Sequence, residues 1–525
     1  ARQRQIRTLP GMGSKTELAI LRGLEMLKEM QGQVTLGIAR PLALLLQQQI
    51  LAIPGVEQAE PAGSVRRGKE MVGDVDLVVA VQPDNQVTAV MTRHPQVKKV
   101  LASEPDRLVL LTYLGVKIEI IMVKPEDFGA TLFYATGARA HRRRLLRLAA
   151  IRGLEPAALG LTTANWLTAA AEVQAELAGE ESPQDAEPEQ EGLQDYKTEQ
   201  ANSRPLGLPA APPECSCGRL DARLPGGLSE AEQEEAVFYK RLGLPYIVPE
   251  LREDRGELAA ALRGELPRLI TLDDIRGDLH LHSNYSDGVD TIAALAAAAR
   301  RRGYSYLAIT DHSRSLVIAR GLSGEKIKRQ REEIDRLNER LEGIRVLAGI
   351  EVDILPDGRL DYDDETLRQF DLVIASVHSA FRQPEEQMMA RLEAALRHPY
   401  VDILGHPTGR MLGRRQPYAA DVNRIIELAA ETGTILEINA SPDRLDLNDV
   451  AVRLAKKRGV PIAINTDAHD SRRLADMEYG LLTARRGWLE PQDVVNTWEL
   501  KRLLARLKRN RKQEGNKRIA KLEQA

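Results

Sequence analysis

Residues 277–283 read Gly-Asp-Leu-His-Leu-His-Ser, in which an apolar run over 277–281 is accompanied by two histidines near its end. It is the first of seven such runs in the second half of the chain. The other six occupy residues 306–310, 346–350, 372–376, 401–404, 435–438 and 462–464. Apolar residues at helical spacing lie between them, at 291–302, 324–341, 385–396 and 419–432. This alternation predicts a parallel sheet with crossover helices, and seven strands in this rhythm favour a closed barrel.

Histidines and carboxylates follow these predicted strands at the points where the strands end. The residues concerned are His280, His282, Asp287, His312, Glu351, His378, His406, Asp467 and His469. Six of the nine histidines of the chain belong to this group. A lone histidine at a strand end is usually a hydrogen-bonded surface residue, but recurrence at one end of one barrel indicates a shared site. Nine nitrogen and oxygen ligands exceed the needs of one ion, so we predict two or three divalent ions, zinc or manganese.

The expected chemistry of this cluster is phosphoester hydrolysis. Divalent ions held in this way lower the pKa of a bound water and neutralise charge on a phosphoryl group. His280 and His282 are two positions apart, so they point the same way from a strand and can share an ion.

A second constellation lies upstream, where residues 63–70 read Gly-Ser-Val-Arg-Arg-Gly-Lys-Glu ahead of Asp74 and Asp76. Two aspartates two positions apart on a strand face the same side and can share a pair of Mg²⁺ ions. A Gly-Ser turn with two arginines supplies donors for a triphosphate. Glu119, in a predicted strand over 116–123, is placed to be the third carboxylate that activates an attacking hydroxyl between the metals.

Composition limits the class of protein. The chain has 525 residues, which suggests about three domains, and its 43% hydrophobic and 28% charged residues are typical of a soluble globular protein. No apolar run is long enough for a membrane helix. Two cysteines exclude a disulfide scaffold or a zinc-finger array and favour a reducing cytoplasm. The chain opens on Ala1 in what reads as the middle of an element, so we expect a missing N-terminus.

The strand-end motifs of the second half resemble the metal motifs of the PHP (polymerase and histidinol phosphatase) domain. They read His-Leu-His-Ser at 280–283, Thr-Asp-His-Ser at 310–313, Gly-Ile-Glu at 349–351, Ser-Val-His-Ser at 376–379, Leu-Gly-His-Pro at 404–407 and Asn-Thr-Asp-Ala-His at 465–469. The resemblance covers about 275–509 and implies three ions. The first would be bound by His280, His282, Glu351 and Asp467, the second by Glu351, His378 and His406, and the third by Asp287, His312 and His469.

The upstream constellation resembles the palm of family X DNA polymerases, which are nucleotidyltransferases. The resemblance implies that Asp74 and Asp76 hold two Mg²⁺ or Mn²⁺ ions and that Glu119 stands where the family normally has Asp. It implies nucleotide contacts by Gly63, Ser64, Arg67, Gly73, Lys117, Tyr134 and Gly137, the last two in a Tyr-Ala-Thr-Gly motif similar to the family's Tyr-Phe-Thr-Gly. Residues 249–254 resemble the closing signature of the thumb. Gly11, Gly13 and Lys15 have the pattern of a helix-hairpin-helix turn that grips the DNA backbone.

A palm and thumb of this family fused ahead of a PHP domain is the layout of bacterial and archaeal-type PolX repair polymerases. We therefore predict a multidomain α/β and α+β protein, a nucleotidyltransferase palm with a helical thumb followed by a (β/α)7 PHP barrel. The predicted segments are a helix-hairpin-helix or fingers remnant (1–33), the palm (34–127), the thumb (128–255) with an acidic disordered insertion (about 172–228), a linker (256–274), the PHP barrel (275–509) and a basic tail (510–525).

The leading functional hypothesis is a DNA repair enzyme with two active sites. Its palm would fill short gaps by adding deoxynucleotides to a primer 3′ end, and its barrel would be a metal-dependent 3′–5′ exonuclease. We expect a cytoplasmic monomer whose partners are gapped or 3′-ended DNA and dNTPs, with no membrane. One alternative is a PHP nuclease or phosphatase whose palm is weakened and serves as a DNA-binding scaffold, as Glu119 and Ala135 suggest. The other is a small-molecule phosphatase of the histidinol phosphate kind.

Overall fold

The computed structural model describes residues 32–154 and 228–507, which divide into two compact units. The N-terminal unit contains residues 32–154 and 228–267, and the barrel unit contains residues 268–507. The predicted DNA-binding turn at Gly11, Gly13 and Lys15, nearly all of the acidic insertion and the basic tail lie outside the described residues. Among the described helices, none combines the length and apolarity needed to cross a bilayer.

The N-terminal unit is built on a five-stranded mixed sheet. Its strands lie in the order β2-β4-β7-β6-β5, and a separate antiparallel pair joins β1 to β3. The strands are β1 (Val34–Thr35), β2 (Val56–Pro61), β3 (Met71–Val72), β4 (Asp74–Val81), β5 (Val97–Ser103), β6 (Arg107–Thr112) and β7 (Lys117–Val123). The helices are α1 (Leu36–Leu51), α2 (Gly63–Arg66), α3 (Val87–Met91), α4 (Phe128–Thr136), α5 (Arg139–Ile151), α6 (Glu230–Arg241) and α7 (Glu257–Arg263).

The central pair of this sheet brings the predicted palm carboxylates together. Strand β4 alternates partly exposed Asp74 and Asp76 with buried apolar residues, so both carboxylates lie on one face. Strand β7 pairs with β4 in parallel, and this register sets Glu119 directly beside Asp76.

Three features of this unit differ from the sequence pattern. The pattern of apolar residues does not predict strands β2 and β5, because charged side chains interrupt both strands. Helix α7 forms in the first part of the predicted linker over 256–274 and buries Glu257 and Leu258. Gly256 and Gly264 lie in the left-handed conformation at the two ends of this helix.

A buried ion-pair cluster joins helix α6 to the rest of the N-terminal unit. The Glu235 carboxylate accepts hydrogen bonds from Arg66 Nη2 at 2.7 Å and from Arg252 Nη1 at 2.7 Å. The Tyr246 hydroxyl donates a further bond to it at 3.0 Å. Burial opposes ionisation of Glu235, but the charges of Arg252 and Arg66 outweigh it and lower the pKa of Glu235 to about 2.

The barrel unit contains seven parallel strands in sequential order, which confirms the predicted fold class. They are β8 (Gly277–Leu281), β9 (Tyr306–Ile309), β10 (Arg345–Asp353), β11 (Leu372–Ser376), β12 (Ile403–Leu404), β13 (Ile435–Asn439) and β14 (Ile462–Asn465). The helices are α8 (Ile292–Arg301), α9 (Gly324–Asn338), α10 (Asp364–Leu367), α11 (Glu385–Leu396), α12 (Val422–Thr432), α13 (Asp449–Lys457), α14 (Met477–Arg486) and α15 (Leu500–Leu507).

The barrel is nearly closed between its first and last strands. Beyond β14, Ala468 forms a parallel bridge with Leu281, and the His282 amide donates to the Ala468 carbonyl at 2.9 Å. Buried Asn496 spans the same seam, because its Nδ2 donates to the carbonyls of Gly277 at 2.9 Å and Ile464 at 2.7 Å. These contacts hold the last strand beside the first, so the carboxyl ends of all seven strands meet at one end.

Two apolar layers fix this barrel. The outer layer packs the strands against the surrounding helices and includes Leu295 of α8 and Ile425 of α12. The inner layer fills the barrel itself, and Leu503 of α15 and Trp498 pack against its strand residues.

Replacement of Glu235 by glutamine tests the buried cluster. Glu235→Gln removes the anion that two buried guanidinium groups share, which costs about 3–5 kcal/mol of unfolding free energy. Hydrogen exchange read by mass spectrometry should therefore show loss of amide protection in β4 and β7.

The control is Glu230→Gln, at an exposed position of the same helix, which should preserve protection. In the parent chain, the stabilisation from Glu235 is complete above the ordinary glutamate pKa and is lost as pH falls towards about 2. Equal protection in the two variants would contradict the role given to this cluster.

Candidate metal centres and nucleotide pocket

The barrel site is organised around the buried carboxylate of Glu351 on β10. Five imidazoles lie within 4 Å of its oxygens: His280 Nε2 at 3.4 Å, His282 Nε2 at 3.6 Å, His312 Nδ1 at 2.8 Å, His378 Nε2 at 3.3 Å and His406 Nε2 at 3.0 Å. Burial would raise the pKa of Glu351, but the positive charge of the surrounding histidines holds it well below its ordinary value. Glu351 is thus an ionised carboxylate at the centre of an imidazole shell.

The predicted ligands fall into three overlapping groups whose candidate ligand atoms lie within 4.8 Å of one another. One group is His280, His282 and Asp467; a second is His312, Glu351 and His378; the third is His282, Asp287, His312 and His469. The third group contains the predicted third-ion set and adds His282. His406 belongs to none of the three, although its Nε2 lies 3.0 Å from Glu351 Oε1. The structure thus brings all nine residues together, while their division among ions stays a prediction.

Buried imidazole nitrogens in this centre fit metal ligation. His280 Nε2, both ring nitrogens of His282, and His406 Nδ1 are buried and make no hydrogen bond within the described residues. Buried polar atoms are nearly always hydrogen-bonded, so such a group of exceptions needs another partner. Burial and the neighbouring His469 and His312 lower the pKa of His282 to about 3, which keeps this imidazole neutral, as a ligand must be.

The carboxylates of the centre attract positive charge. Burial would lower the pKa of His312, but Glu351 and Asp287 raise it to about 10. Burial likewise opposes ionisation of Asp467, but His280 and His282 hold its pKa well below the ordinary value. Imidazole nitrogens combined with carboxylate oxygens, with no sulfur ligand in these groups, suit zinc or manganese.

Two carboxylates that the sequence reasoning missed orient the imidazoles. Glu437 Oε1 lies 2.7 Å from His280 Nδ1, and Asp353 Oδ1 lies 2.5 Å from His378 Nδ1. Such bonds fix the ring orientation and leave the other ring nitrogen for a metal. Glu437 lies within β13, and Asp353 is the last residue of β10. Both strands are buried and mainly apolar, so an acidic residue in such a strand is the sequence signal that could have identified these two carboxylates.

The backbone at two of the predicted ligands is strained. His406 has a φ of 28° and Asp467 a φ of 53°, in the region that favours glycine. Hydrogen bonds hold both: the His406 amide donates to Glu437 Oε2 at 2.7 Å, and Asn439 Nδ2 donates to Asp467 Oδ2 at 3.0 Å. Strain of this kind costs about 1–3 kcal/mol per residue and persists where the surroundings over-determine it.

A cationic side chain, Arg444, also reaches this centre and was not singled out in the sequence. Its Nε lies 3.7 Å from Asp467 Oδ2, and its Nη1 is buried and makes no hydrogen bond within the described chain. Its charge contributes, after burial, to the lowered pKa of His406. A guanidinium with a spare donor beside a candidate metal centre suits an anionic ligand such as a phosphate.

The palm site is a triad of carboxylates on two adjacent strands. Oxygens of Asp74, Asp76 and Glu119 lie within 4.8 Å of one another. Burial and the charges of Asp74 and Glu119 raise the pKa of Asp76 to about 7. An all-oxygen set with mutual repulsion of this size fits Mg²⁺ or Mn²⁺.

Two cations flank this triad. Lys117, predicted as a nucleotide contact, has its Nζ 3.3 Å from Asp74 Oδ2 and 3.5 Å from Glu119 Oε2. Arg107 on β6 was not singled out in the sequence, and its Nε donates to Glu119 Oε1 at 2.7 Å. Burial would raise the pKa of Glu119, but Arg107 and Lys117 lower it below the ordinary value.

The turn ahead of the triad approaches Asp76 closely. Gly63 has a φ of 56°, and a Cβ placed on it would lie 1.9 Å from Asp76 Oδ2. Only glycine therefore fits this position. Gly73 lies between β3 and β4 and has open space around it. Ser64 follows Gly63 in the first turn of α2.

The remaining predicted nucleotide contacts lie on and around helix α4. Arg67 donates to Glu253 Oε1 at 2.8 Å and to the Thr136 carbonyl at 2.8 Å. Arg142 lies over the Tyr134 ring at 4.3 Å from its centroid. Gly137 ends α4 with an extended backbone. These residues belong to one unit with the triad, and their contacts with a nucleotide stay predictions.

The PHP domain family model matches residues 278–441. The chain is 36% identical over 510 residues to the DNA polymerase/3′-5′ exonuclease PolX of Bacillus subtilis, a match that covers 97% of this chain and 79% of that protein. The chain belongs to the PolX family. The family predicted from the sequence motifs is thereby confirmed.

Other similar proteins match a smaller part of this chain. A protein named as a probable phosphatase of Thermoanaerobacter sp. is 30% identical over 234 residues, covering 42% of this chain and 89% of that protein. A solved structure of histidinol phosphate phosphatase from Lactococcus lactis, complexed with Zn, L-histidinol and phosphate, aligns with a TM-score of 0.32 and 19% identity. That alignment covers 40% of this chain and 94% of the phosphatase.

Gly63 and Gly73 form a matched pair for testing the palm site. Gly63→Ala places a methyl group against Asp76 and strains the backbone, so Mn²⁺ affinity should fall at least about tenfold. Gly73→Ala meets open space and should retain Mn²⁺ binding. Electron paramagnetic resonance titration with Mn²⁺ measures both, and equal affinity in the two variants would contradict the close approach at Gly63.

Asp353→Asn tests the support of His378. The amide cannot replace the carboxylate beside Nδ1 with the same orientation and basicity, so affinity for one ion of the barrel centre should fall about 10–100-fold. Metal content after graded chelation measures this effect. Asp357→Asn, at an exposed position that follows the same strand, is the control and should bind metal like the parent chain.

Proposed function

We propose that this member of the PolX family is a DNA repair enzyme with two active sites in one chain. The palm transfers deoxynucleotides to a primer 3′ end in short gaps, and the PHP barrel removes nucleotides from 3′ ends as a metal-dependent 3′–5′ exonuclease. The observation that carries this proposal is the convergence of six imidazoles and three carboxylates at one end of the barrel. The carboxylate triad on β4 and β7 independently supports the proposed nucleotide transfer in the palm.

In the barrel, the nine predicted ligands would hold two or three Zn²⁺ or Mn²⁺ ions. Bound there, such ions supply Lewis acidity at phosphoryl oxygens and lower the pKa of water. Glu437 and Asp353 keep His280 and His378 oriented towards the centre. Arg444 offers its spare guanidinium donor to a non-bridging phosphate oxygen of the scissile diester.

Access to the barrel centre is open on one side. His280, His282 and Glu351 are buried, whereas Asp287 and His469 are partly exposed. A DNA 3′ end would therefore enter over Asp287 and His469. Single-stranded termini suit this opening better than duplex, because the buried ligands lie below it.

In the palm, Asp74, Asp76 and Glu119 would hold two Mg²⁺ or Mn²⁺ ions. The first turn of α2, with Gly63 and Ser64, presents backbone N–H groups to a triphosphate. Arg67 is held near this turn by Glu253 and by the Thr136 carbonyl.

The proposal also covers partners and location. Gapped or 3′-ended DNA and dNTPs are the substrates, because two phosphoryl-transfer centres in one chain suit synthesis and removal at the same DNA end. The relative from Bacillus subtilis is named for both activities. We include a cytoplasmic location, where these substrates occur, and a monomer as the working state.

One observation favours a second candidate function, a PHP nuclease with a weakened palm. Glu119 carries one methylene more than aspartate, and its carboxylate is bound by Arg107 and lies near Lys117. A reacting group displaced by about 1 Å can lose roughly a hundredfold in rate. In this case the palm would serve chiefly to bind DNA.

Two alanine variants separate the proposed sites. On gapped DNA with Mn²⁺, Asp74→Ala should abolish single-nucleotide extension and retain 3′ resection, because it removes only a palm ligand. His378→Ala should do the reverse. Gel analysis of the extended and the resected DNA measures each activity separately in both variants. Loss of both activities in each variant, or hydrolysis of histidinol phosphate without DNA cleavage, would contradict two DNA-directed sites.

Glu119→Asp distinguishes the two candidate functions of the palm. If the palm is a working but detuned polymerase, the shorter carboxylate should raise the extension rate at least about tenfold. Extension that stays undetectable in parent and variant, with resection intact, would favour the DNA-binding scaffold.

A further inference from the structure

Three apolar side chains near the barrel centre are far more exposed than folding requires. Ile318, Val317 and Val289 expose 92%, 80% and 76% of their surface, the highest values for large apolar residues in the described part of the chain. Single exposed apolar residues are ordinary, but three of them on the segments around one metal centre indicate a contact surface. We call these three residues the apolar rim.

The apolar rim lies on two loops that also carry predicted metal ligands. Val289 follows Asp287 by two residues, and its amide donates to the His469 carbonyl at 2.8 Å. Val317 and Ile318 belong to the loop that begins directly after His312 and ends where the Leu322 amide donates to the His312 carbonyl at 2.8 Å. The two loops of the rim are therefore tied to the segments of His312 and His469, and His469 and Asp287 are partly exposed.

The longer of these loops is braced from several sides. Ser315 donates from its amide to Asp361 at 2.6 Å and from its hydroxyl to Asp353 at 2.6 Å. A Cβ on Gly321 would lie 1.9 Å from the Ser313 carbonyl oxygen, so the two ends of the loop are in close contact. The loop thus holds Val317 and Ile318 outward on a fixed framework.

Shared contacts tie the rim to the metal centre and tie its two loops together. Asp353 accepts from Ser315 with one oxygen and lies 2.5 Å from His378 Nδ1 with the other. Lys326 Nζ donates to the carbonyl of Arg320 at 2.8 Å and to that of Tyr285 at 3.0 Å, which joins the two loops. The distance between the rim and the predicted ligands is therefore set by the fold.

The chemistry around the rim selects its occupant. Nucleobases present apolar faces, while the backbone that joins them is anionic. Arg314 and Arg320 stand on either side of Val317 and Ile318 in the sequence and offer positive charge to that backbone. A ligand with both properties matches this surface, and the neighbouring centre is proposed to cleave such a ligand.

We propose that the apolar rim packs against the last bases of a DNA 3′ end and keeps them unpaired over the metal centre. This inference rests on the proposed exonuclease function and adds the means by which the strand end is held. The rim makes contact with base faces, so it grips any sequence and favours frayed or mismatched ends over paired ones.

The test uses the full chain with Val317→Ser/Ile318→Ser and two single-stranded oligonucleotides. One ends in a 2-aminopurine nucleotide, and the other ends in three consecutive abasic tetrahydrofuran nucleotides. The variant should raise KM about tenfold for removal of the base-bearing end and change kcat less than about twofold, because only apolar contact is lost. Cleavage of the abasic end should not change.

A second readout needs no cleavage. In EDTA, binding of the parent chain should change the fluorescence of the terminal 2-aminopurine, and the variant should lose this change. The control is Val450→Ser, an exposed valine on α13 that follows no predicted ligand, which should behave like the parent.

The outcomes separate this inference from the proposed function. Absence of resection by the parent chain would reject the exonuclease, while the fluorescence would still test the rim. The proposed role of the rim would be overturned if the variant affected cleavage of both ends equally, or if it changed the 2-aminopurine fluorescence on binding as the parent does. It would also be overturned if the variant differed from the parent only in its sedimentation, a result that would indicate contact with a second copy of the chain.

Discussion

The buried charge of Glu351 is the constraint on which the barrel unit depends. A carboxylate at this depth is stable only with compensating positive charge, and five imidazoles from four other strand ends surround it. Glu437 orients His280, Asp353 orients His378, and a hydrogen bond to Glu437 holds the strained backbone at His406. The centre therefore contains more carboxylate and imidazole groups than the stability of the fold requires. These additional groups suit it to the binding of several cations.

The carboxylates of the palm also depend on compensating positive charge, with fewer residues involved. Three carboxylates on β4 and β7 repel one another, and Lys117 and Arg107 offset part of that repulsion. The arrangement leaves Asp76 with a pKa of about 7, so a cation has to compete with a proton there. Because Arg107 binds Glu119 from the neighbouring strand β6, it fixes a longer side chain in a position where the family normally has a shorter one.

Sequence patterns were enough for the barrel strands because burial on both faces makes parallel strands continuously apolar. The run 277–281 and the run 372–376 coincide with β8 and β11. Strands β2 and β5 were not predicted because charged residues lie on their exposed faces. Arg107 and Arg444 were not identified for another reason. Their contacts depend on strand register and loop path, which no local sequence pattern encodes.

Closure of the barrel by Asn496 has a consequence for how the protein is made. Its side chain bonds to Gly277 across 219 residues of sequence, and Asp467 approaches His282 to 3.0 Å across the same seam. During synthesis the first strand leaves the ribosome long before its last neighbour exists, and joining ends so far apart is slow. The first and last strands can therefore pair only after translation has passed Asn496, so the seven strand ends, with the residues predicted to bind metal, come together late in synthesis.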